Sequence, residues 1–221
     1  MKAVVFDMDG VLINTEPLHY RAWQEAFREE GMPLLSYADY APCIGSVRMK
    51  LFEIIREKTG VTVPNPEKLS ARMAEITADL IEKEGLPRLP GTEEMLKRLH
   101  SAGYLLAVAS SSPAYAIRGI LEALGVLPFF ACTVSGEEMK RPKPAPDTFL
   151  AASQKLNCQP ADCLVVEDST NGGLAAKAAG MRVAWFRNPD SGPQNIPHAV
   201  LELDSWSAEN TARLLSCLKT I

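Results

Sequence analysis

Residues 2–15 read KAVVFDMDGVLINT, and this stretch decides the fold. From Lys2 to Phe6, β-branched and aromatic residues follow one another without polar alternation, the pattern of a strand buried on both faces of a parallel sheet. Such a sheet binds its ligands beyond the carboxyl ends of its strands. Asp7 falls at that edge, and Asp9 lies two residues on in a loop that Gly10 lets turn tightly. Two carboxylates there can divide labour: one attacks as a nucleophile or holds a metal while the other moves protons. Taken alone, the pair also fits an exposed acidic turn. The choice between the two rests on the rest of the chain.

From residue 92 onward, helical and strand patterns alternate. TEEMLKRLHSAG predicts a helix with Thr92 as N-cap, followed by a buried strand over residues 104–110 and a helix over 113–124. A short strand (131–134), a helix (144–156), an apolar strand (163–168), a helix in NGGLAAKAAG, a strand (181–186), a weaker strand (198–203) and a closing helix (208–218) complete the series. This order predicts an α/β fold: a Rossmann-like parallel sheet with helices on both faces and right-handed crossovers. Residues 16–84 break the pattern, with helical periodicity over 16–30, 47–58 and 66–83 and no strand between them. They predict a small all-α, four-helix-like cap inserted after the first strand, leaving residues 1–15 and 85–221 as the core. The crossings at Asn14–Thr15 and in EGLPRLPG (84–91) are the expected hinges.

The 221 residues carry a formal net charge of −4, which argues against a general nucleic-acid binder. No apolar stretch approaches a membrane span, and no secretory leader is expected ahead of the first strand. Cys43, Cys132, Cys158, Cys163 and Cys217 lack CxxC spacing, so reduced thiols in a cytoplasmic protein are expected. Three scattered histidines make no metal cluster.

Four strand ends then bear comparison. The first carries Asp7 and Asp9, the second Ser110 in VASSS, and a later one Glu167 and Asp168 in VVEDST; between them KRPKPAPDTF sets Lys143 just ahead of a helix. In isolation Lys143 reads as a surface lysine, Ser110 as a turn residue and Asp168 as a helix cap. Together, in this order, FDMDGV, ASSS, KPAPD and EDS resemble the haloacid dehalogenase superfamily across the whole chain. The helical insertion resembles the cap of the subgroup that holds phosphoglycolate phosphatases, sugar-phosphate phosphatases and β-phosphoglucomutase. The resemblance implies an aspartyl-phosphate mechanism with Asp7 as nucleophile and Asp9 as general acid and base. It also implies Mg²⁺ held by Asp7, Asp168 and the backbone carbonyl of Asp9, with Glu167 supporting the metal's shell and Ser110 and Lys143 binding the phosphoryl group. An acid at Asp9 points to a phosphate ester, since within the superfamily dehalogenases lack it and transport ATPases carry Thr.

In the cap, Thr15, His19, Trp23 and Arg48 match the pattern of sugar-phosphate members. Arg48 is expected to reach a second anionic group of the substrate and His19 a sugar hydroxyl; packing on one helix face is the competing reading for His19 and Trp23. One departure decides between subgroups. Where the mutases carry a lysine in a KRK stretch, this chain reads Ala71-Arg72-Met73. The expectation is therefore a monomeric, Mg²⁺-dependent phosphatase acting on a small sugar or polyol phosphate. A β-phosphoglucomutase-type mutase is the alternative, and a catalytically idle binding protein on the same fold a further one.

Overall fold

Six short strands carry the apolar runs of the chain: β1 (Ala3–Phe6), β2 (Leu105–Ser110), β3 (Cys132–Ser135), β4 (Cys163–Glu167), β5 (Arg182–Phe186) and β6 (Leu201–Leu203). The computed structural model describes residues 2–45 and 49–220. The strands form one parallel sheet in the order β3-β2-β1-β4-β5-β6. Chain order runs outward in both directions from the β1/β4 junction, and ligands of such sheets sit at that reversal.

Alternation along β1 explains why the run is apolar throughout. Val4 and Phe6 pack on one side with Met95, Leu99, Ile117 and Leu214, and Ala3 and Val5 on the other with Phe149, Ala152, Ala175 and Val183. The first layer comes from α5 (Thr92–Ser101), α6 (Ala114–Leu124) and α9 (Ala208–Thr220), the second from α7 (Asp147–Lys155) and α8 (Thr170–Ala178). Both faces of β1 are therefore closed to water, and its last residue delivers the chain to the ligand edge.

Between β1 and α5 the described residues form α1 (Glu16–Glu29), α2 (Tyr37–Tyr40), α3 (Met49–Thr59) and α4 (Pro66–Glu84). They enclose a separate apolar cluster built on Trp23, Phe27, Phe52, Ile55, Leu69 and Met73. The two chain crossings are tied together at their base, where Asn14 N donates to Pro87 O at 2.8 Å. Polar bonds also join the insertion to the core. The Asn171 side chain donates to Pro42 O (3.2 Å) and Ile44 O (2.9 Å), and Gln194 Nε2 donates to Ala41 O (3.2 Å).

Three local expectations are corrected. The cap residue of α5 is Gly91, not Thr92, whose hydroxyl instead donates to Leu89 O at 2.8 Å. Gly91 has φ +88°, and a Cβ there would lie 2.1 Å from Trp206 O, so the close approach of two loops excludes a side chain. α7 begins at Asp147 rather than at residue 144, because Pro142, Pro144 and Pro146 hold the preceding segment out of helical geometry. At α8, Ser169 rather than Asp168 is the cap, its hydroxyl accepting from Gly172 N at 3.0 Å. Asp168 is thereby left to face the sheet edge.

Candidate active site

β1 ends at Phe6 and β4 at Glu167, and Asp7 N still donates to Val166 O at 2.9 Å. Sheet register thus sets the side chains of Asp7 and Glu167 next to each other. Into the gap between them reaches Lys143, fully buried. Its ammonium donates to Asp7 Oδ1 (2.6 Å), Glu167 Oε1 (2.7 Å) and the carbonyl of Ala109 on β2 (3.0 Å). An ammonium has three donors and no acceptor, so these three bonds satisfy it completely. The second oxygen of Glu167 accepts from Ser169 N and Ser169 Oγ, both at 2.9 Å. Lys143 and Glu167 are therefore locked, whereas Asp7 keeps one oxygen toward the cavity.

Asp9 is held by hydroxyls. Ser112 donates to its Oδ2 at 2.8 Å, Ser110 contacts the same oxygen at 3.3 Å, and Thr15 donates to Oδ1. Gly10 turns the chain between the two acids and Val11 with φ +82°; a Cβ there would fall 2.0 Å from Asp168 Oδ2. Asp168 sits against that bare backbone, and its carboxylate accepts from Ser191 Oγ.

Charge is unbalanced here. Asp7, Glu16, Glu167 and Asp168 are all buried, and one buried lysine faces only Asp7 and Glu167 among them. Burial pushes the Asp7 carboxyl up to about 8, with Lys143 opposing and Glu167 and Asp9 adding to the rise. Burial likewise drives Asp168 well above the carboxylate range, reinforced by Glu167, Asp7 and Glu16. Glu16 is pushed up to about 8 by burial and by Asp9 and Asp7, against a hydrogen bond from the Tyr40 hydroxyl at 3.3 Å. Acids crowded in this way call for a cation or for protons. Among the described residues no three carboxylate, imidazole or thiol groups converge as a ready-made metal cage. Two carboxylates with open positions are a donor set that suits Mg²⁺, which keeps several waters and binds substrate oxygen.

A cavity of about 330 Å³ opens over Asp7, Asp9 and Ser110 and is roofed by the helical insertion. Among the expected site residues, Asp7, Asp9, Ser110, Lys143, Glu167 and Asp168 come together at this edge. His19 and Trp23 line the cavity, Trp23 also stacking on Phe27. Thr15 is fully buried beneath Asp9 and does not line the cavity. Arg48 lies outside the described residues. Glu16, Ser112 and Ser191 were not anticipated. The only signal for Glu16 is an acid in the first turn of a helix that leaves the loop after Asp9, which reads equally as a dipole partner.

Residues 1–180 match the haloacid dehalogenase-like hydrolase family. Hexitol phosphatase B of Escherichia coli (strain K12) is 30% identical over 199 residues, covering 90% of this chain and 88% of that protein. A mutant of CbbY from Rhodobacter sphaeroides in complex with xylulose-(1,5)bisphosphate superposes with a TM-score of 0.84 at 26% identity, covering 94% of this chain and 96% of that one. β-Phosphoglucomutase from Clostridium difficile superposes with a TM-score of 0.80 at 25% identity, over 98% and 99% of the two chains. A parallel α/β hydrolase with its acids gathered at the strand-order reversal is the class that fold and site define. The chain belongs to the haloacid dehalogenase-like hydrolase family.

Proposed function

We propose that the chain is a phosphatase that hydrolyses small phosphate monoesters, sugar or polyol phosphates among them, through a phosphorylated Asp7. One observation carries this reading: the buried Lys143 ammonium holds Asp7 and Glu167 at 2.6 and 2.7 Å while Asp9 stands two residues away on its own hydroxyl supports. The free oxygen of Asp7 attacks phosphorus, and the bond from phosphorus to the ester oxygen breaks as that oxygen takes a proton from Asp9. Asp9 then removes a proton from water, which attacks the same phosphorus. Inorganic phosphate leaves and the Asp7 carboxylate is restored. Lys143 fixes the attacking carboxylate, and Ser110 supplies a hydroxyl donor to a phosphoryl oxygen.

Asp7 and Asp168, with the backbone carbonyl of Asp9, are the groups that would hold Mg²⁺, and the surplus of buried negative charge supports the assignment. When bound, the ion would offset the negative charge of the phosphoryl oxygens. Glu167, engaged with Lys143 and Ser169, keeps those groups in register. Residues 16–84 act as a cap that closes over the site on the two crossings. The support is their own apolar cluster and the polar bonds from Asn171 and Gln194 to the 41–44 turn.

Hydrolysis is favoured over mutase chemistry by the position of Arg72. Its guanidinium forks onto Glu29 (2.7 and 2.8 Å) and bonds Glu75 (3.0 Å) on the outer surface, away from the cavity lining. Phosphate release from a set of sugar, polyol and nucleotide monophosphates tests the reading. Protein stripped with chelator should be inactive and recover with Mg²⁺. Full turnover in chelator removes the metal assignment, and no release from any ester removes the phosphatase.

A further inference from the structure

The cavity over Asp7 has two chemically unlike halves. Beside Asp9 and Asp7, Glu16 and the Tyr40 hydroxyl bonded to it present polar groups, and His19 adds another to the lining. An apolar wall is made by Met73, Ala74 and Ile81 of α4 and by Ala116, Gly119 and Ile120 of α6. Thr77 also lies there, but its hydroxyl donates to Met73 O at 2.9 Å within its own helix. Among the described residues of α4 and α6, no charged side chain lines the cavity.

Most of this wall is distinct from the packing faces of its helices, although Met73 serves both and Ile120 packs partly against the sheet cluster. α4 buries Leu69, Met73 and Ile76 in the apolar cluster of the insertion, and α6 buries Ile117, Leu121 and Leu124 against the sheet. Ala74, Ala78 and Ile81 form a second stripe at helical spacing, and so do Tyr115, Ala116 and Gly119. Ala78, Tyr115 and Gly119 are exposed at the mouth. Hydrocarbon left facing a cavity, with the outward faces of α4 carrying Glu75, Asp79 and Glu82, marks a surface that a ligand covers.

We propose that this wall receives the leaving group and selects monophosphates whose alcohol is polar beside the phosphate and hydrocarbon-rich at its far end, such as a deoxygenated sugar or an alkyl alcohol. The inference rests on the phosphatase reading of the same site. A second phosphate placed against α4 and α6 would lose its hydration and find no donor there among the described residues.

The test is kcat/KM, by phosphate release, over straight-chain alkyl phosphates from methyl to hexyl, with fructose 1,6-bisphosphate as the doubly charged comparator. Each methylene laid on the wall should raise kcat/KM by about fourfold until the cavity is filled. Ala78→Asp on α4 and Gly119→Asp on α6 should each flatten that slope. Ala78 is exposed and a Cβ at Gly119 meets open space, so both variants should keep the fold, which circular dichroism checks. A flat series in the wild type, a slope unchanged in both variants, or a bisphosphate turned over faster than hexyl phosphate overturns the apolar wall and leaves the phosphatase standing. No phosphate from any ester overturns both.

Discussion

The sheet edge and the helical insertion deploy charge in opposite ways. At the edge, four acids are buried near a single buried ammonium that bonds two of them, and hydrogen bonds fix both oxygens of Glu167 and one oxygen each of Asp7, Asp168 and Glu16. In the insertion, charge lies outside. Arg21 pairs with Glu84, Lys58 with Asp39, Lys68 with Glu30 and Arg72 with Glu29, all on solvated surface, while the cavity side of α4 is hydrocarbon. Exposed pairs of this sort contribute little, whereas a buried charge stripped of its partner is strongly destabilising. On the proposed reading the contrast separates two tasks: the edge would move charge at phosphorus, and the insertion would select by shape and apolar contact.

The sharpest way to break this division is at Asp7. Asp7→Asn should abolish turnover with the fold retained, because an amide cannot attack phosphorus. The loss should correspond to about 5 kcal/mol or more of barrier, several thousandfold in rate. Asp9→Asn should reduce turnover strongly for want of a proton donor. Near-normal rates in folded Asp7→Asn would show that the nucleophile lies elsewhere.

Lys143→Met comes next, since it acts on stability as well as rate. The methionine fills a similar volume but leaves Asp7 and Glu167 facing each other without a cation. Removing one member of a buried charge cluster is worth about 3–5 kcal/mol. Urea unfolding of the metal-free protein should show that loss, and an unchanged midpoint would mean that the cluster is already relieved by protons.

The same contrast governs what the sequence discloses. Strands buried on both faces must be continuous apolar runs, so the sheet and the acids at its strand ends are legible without coordinates. Register does the rest, because Asp7 and Glu167 are neighbours wherever β1 and β4 pair in parallel. Supports drawn from distant loops are not legible. Ser191 reaches Asp168 from 23 residues away and Ser112 reaches Asp9 from 103, and no local spacing announces either contact. Caps failed for a related reason: Gly91 is required by the approach of Trp206, a residue far along the chain. Four-residue α2 is too short for periodicity to detect. In the insertion, helices were legible from their spacing, but which stripe of α4 faces the cavity depends on how it packs against α1.

Glu16 belongs to both regions, opening α1 yet reaching the acids of the edge, and its titration tests how far the edge's field extends. Its folded pKa is about 8, above the ordinary 4.5. A carboxyl raised on folding contributes stability that is complete below its unfolded value and is lost as pH rises through the folded one. Between pH 5.5 and 7.5 the metal-free wild type should lose on the order of 2 kcal/mol through this group. Glu16→Gln should lose less over that interval, read as the difference between the two proteins' unfolding free energies at each pH in chelator. Parallel pH profiles would place the Glu16 carboxyl outside the shared field.

The smallest expected effect is at Arg72, and it sharpens the comparison from the side of the insertion. If charge on the outer face of α4 serves only the surface, the guanidinium there has no part in turnover. Its partners Glu29 and Glu75 are exposed, and the ion pairs are screened by solvent. Arg72→Ala should therefore leave kcat/KM for the preferred phosphate ester within about twofold of the wild type, the range expected of an exposed pair. A mutase reading requires the opposite, because a cap cation must hold the phosphate that is not reacting while the sugar turns over. Supplying β-glucose 1-phosphate with Mg²⁺ and a trace of hexose bisphosphate separates the two in one assay. Free phosphate should accumulate ahead of glucose 6-phosphate in both proteins. Glucose 6-phosphate leading in the wild type and vanishing in Arg72→Ala would bring that arginine into the site and dissolve the distinction between the two regions.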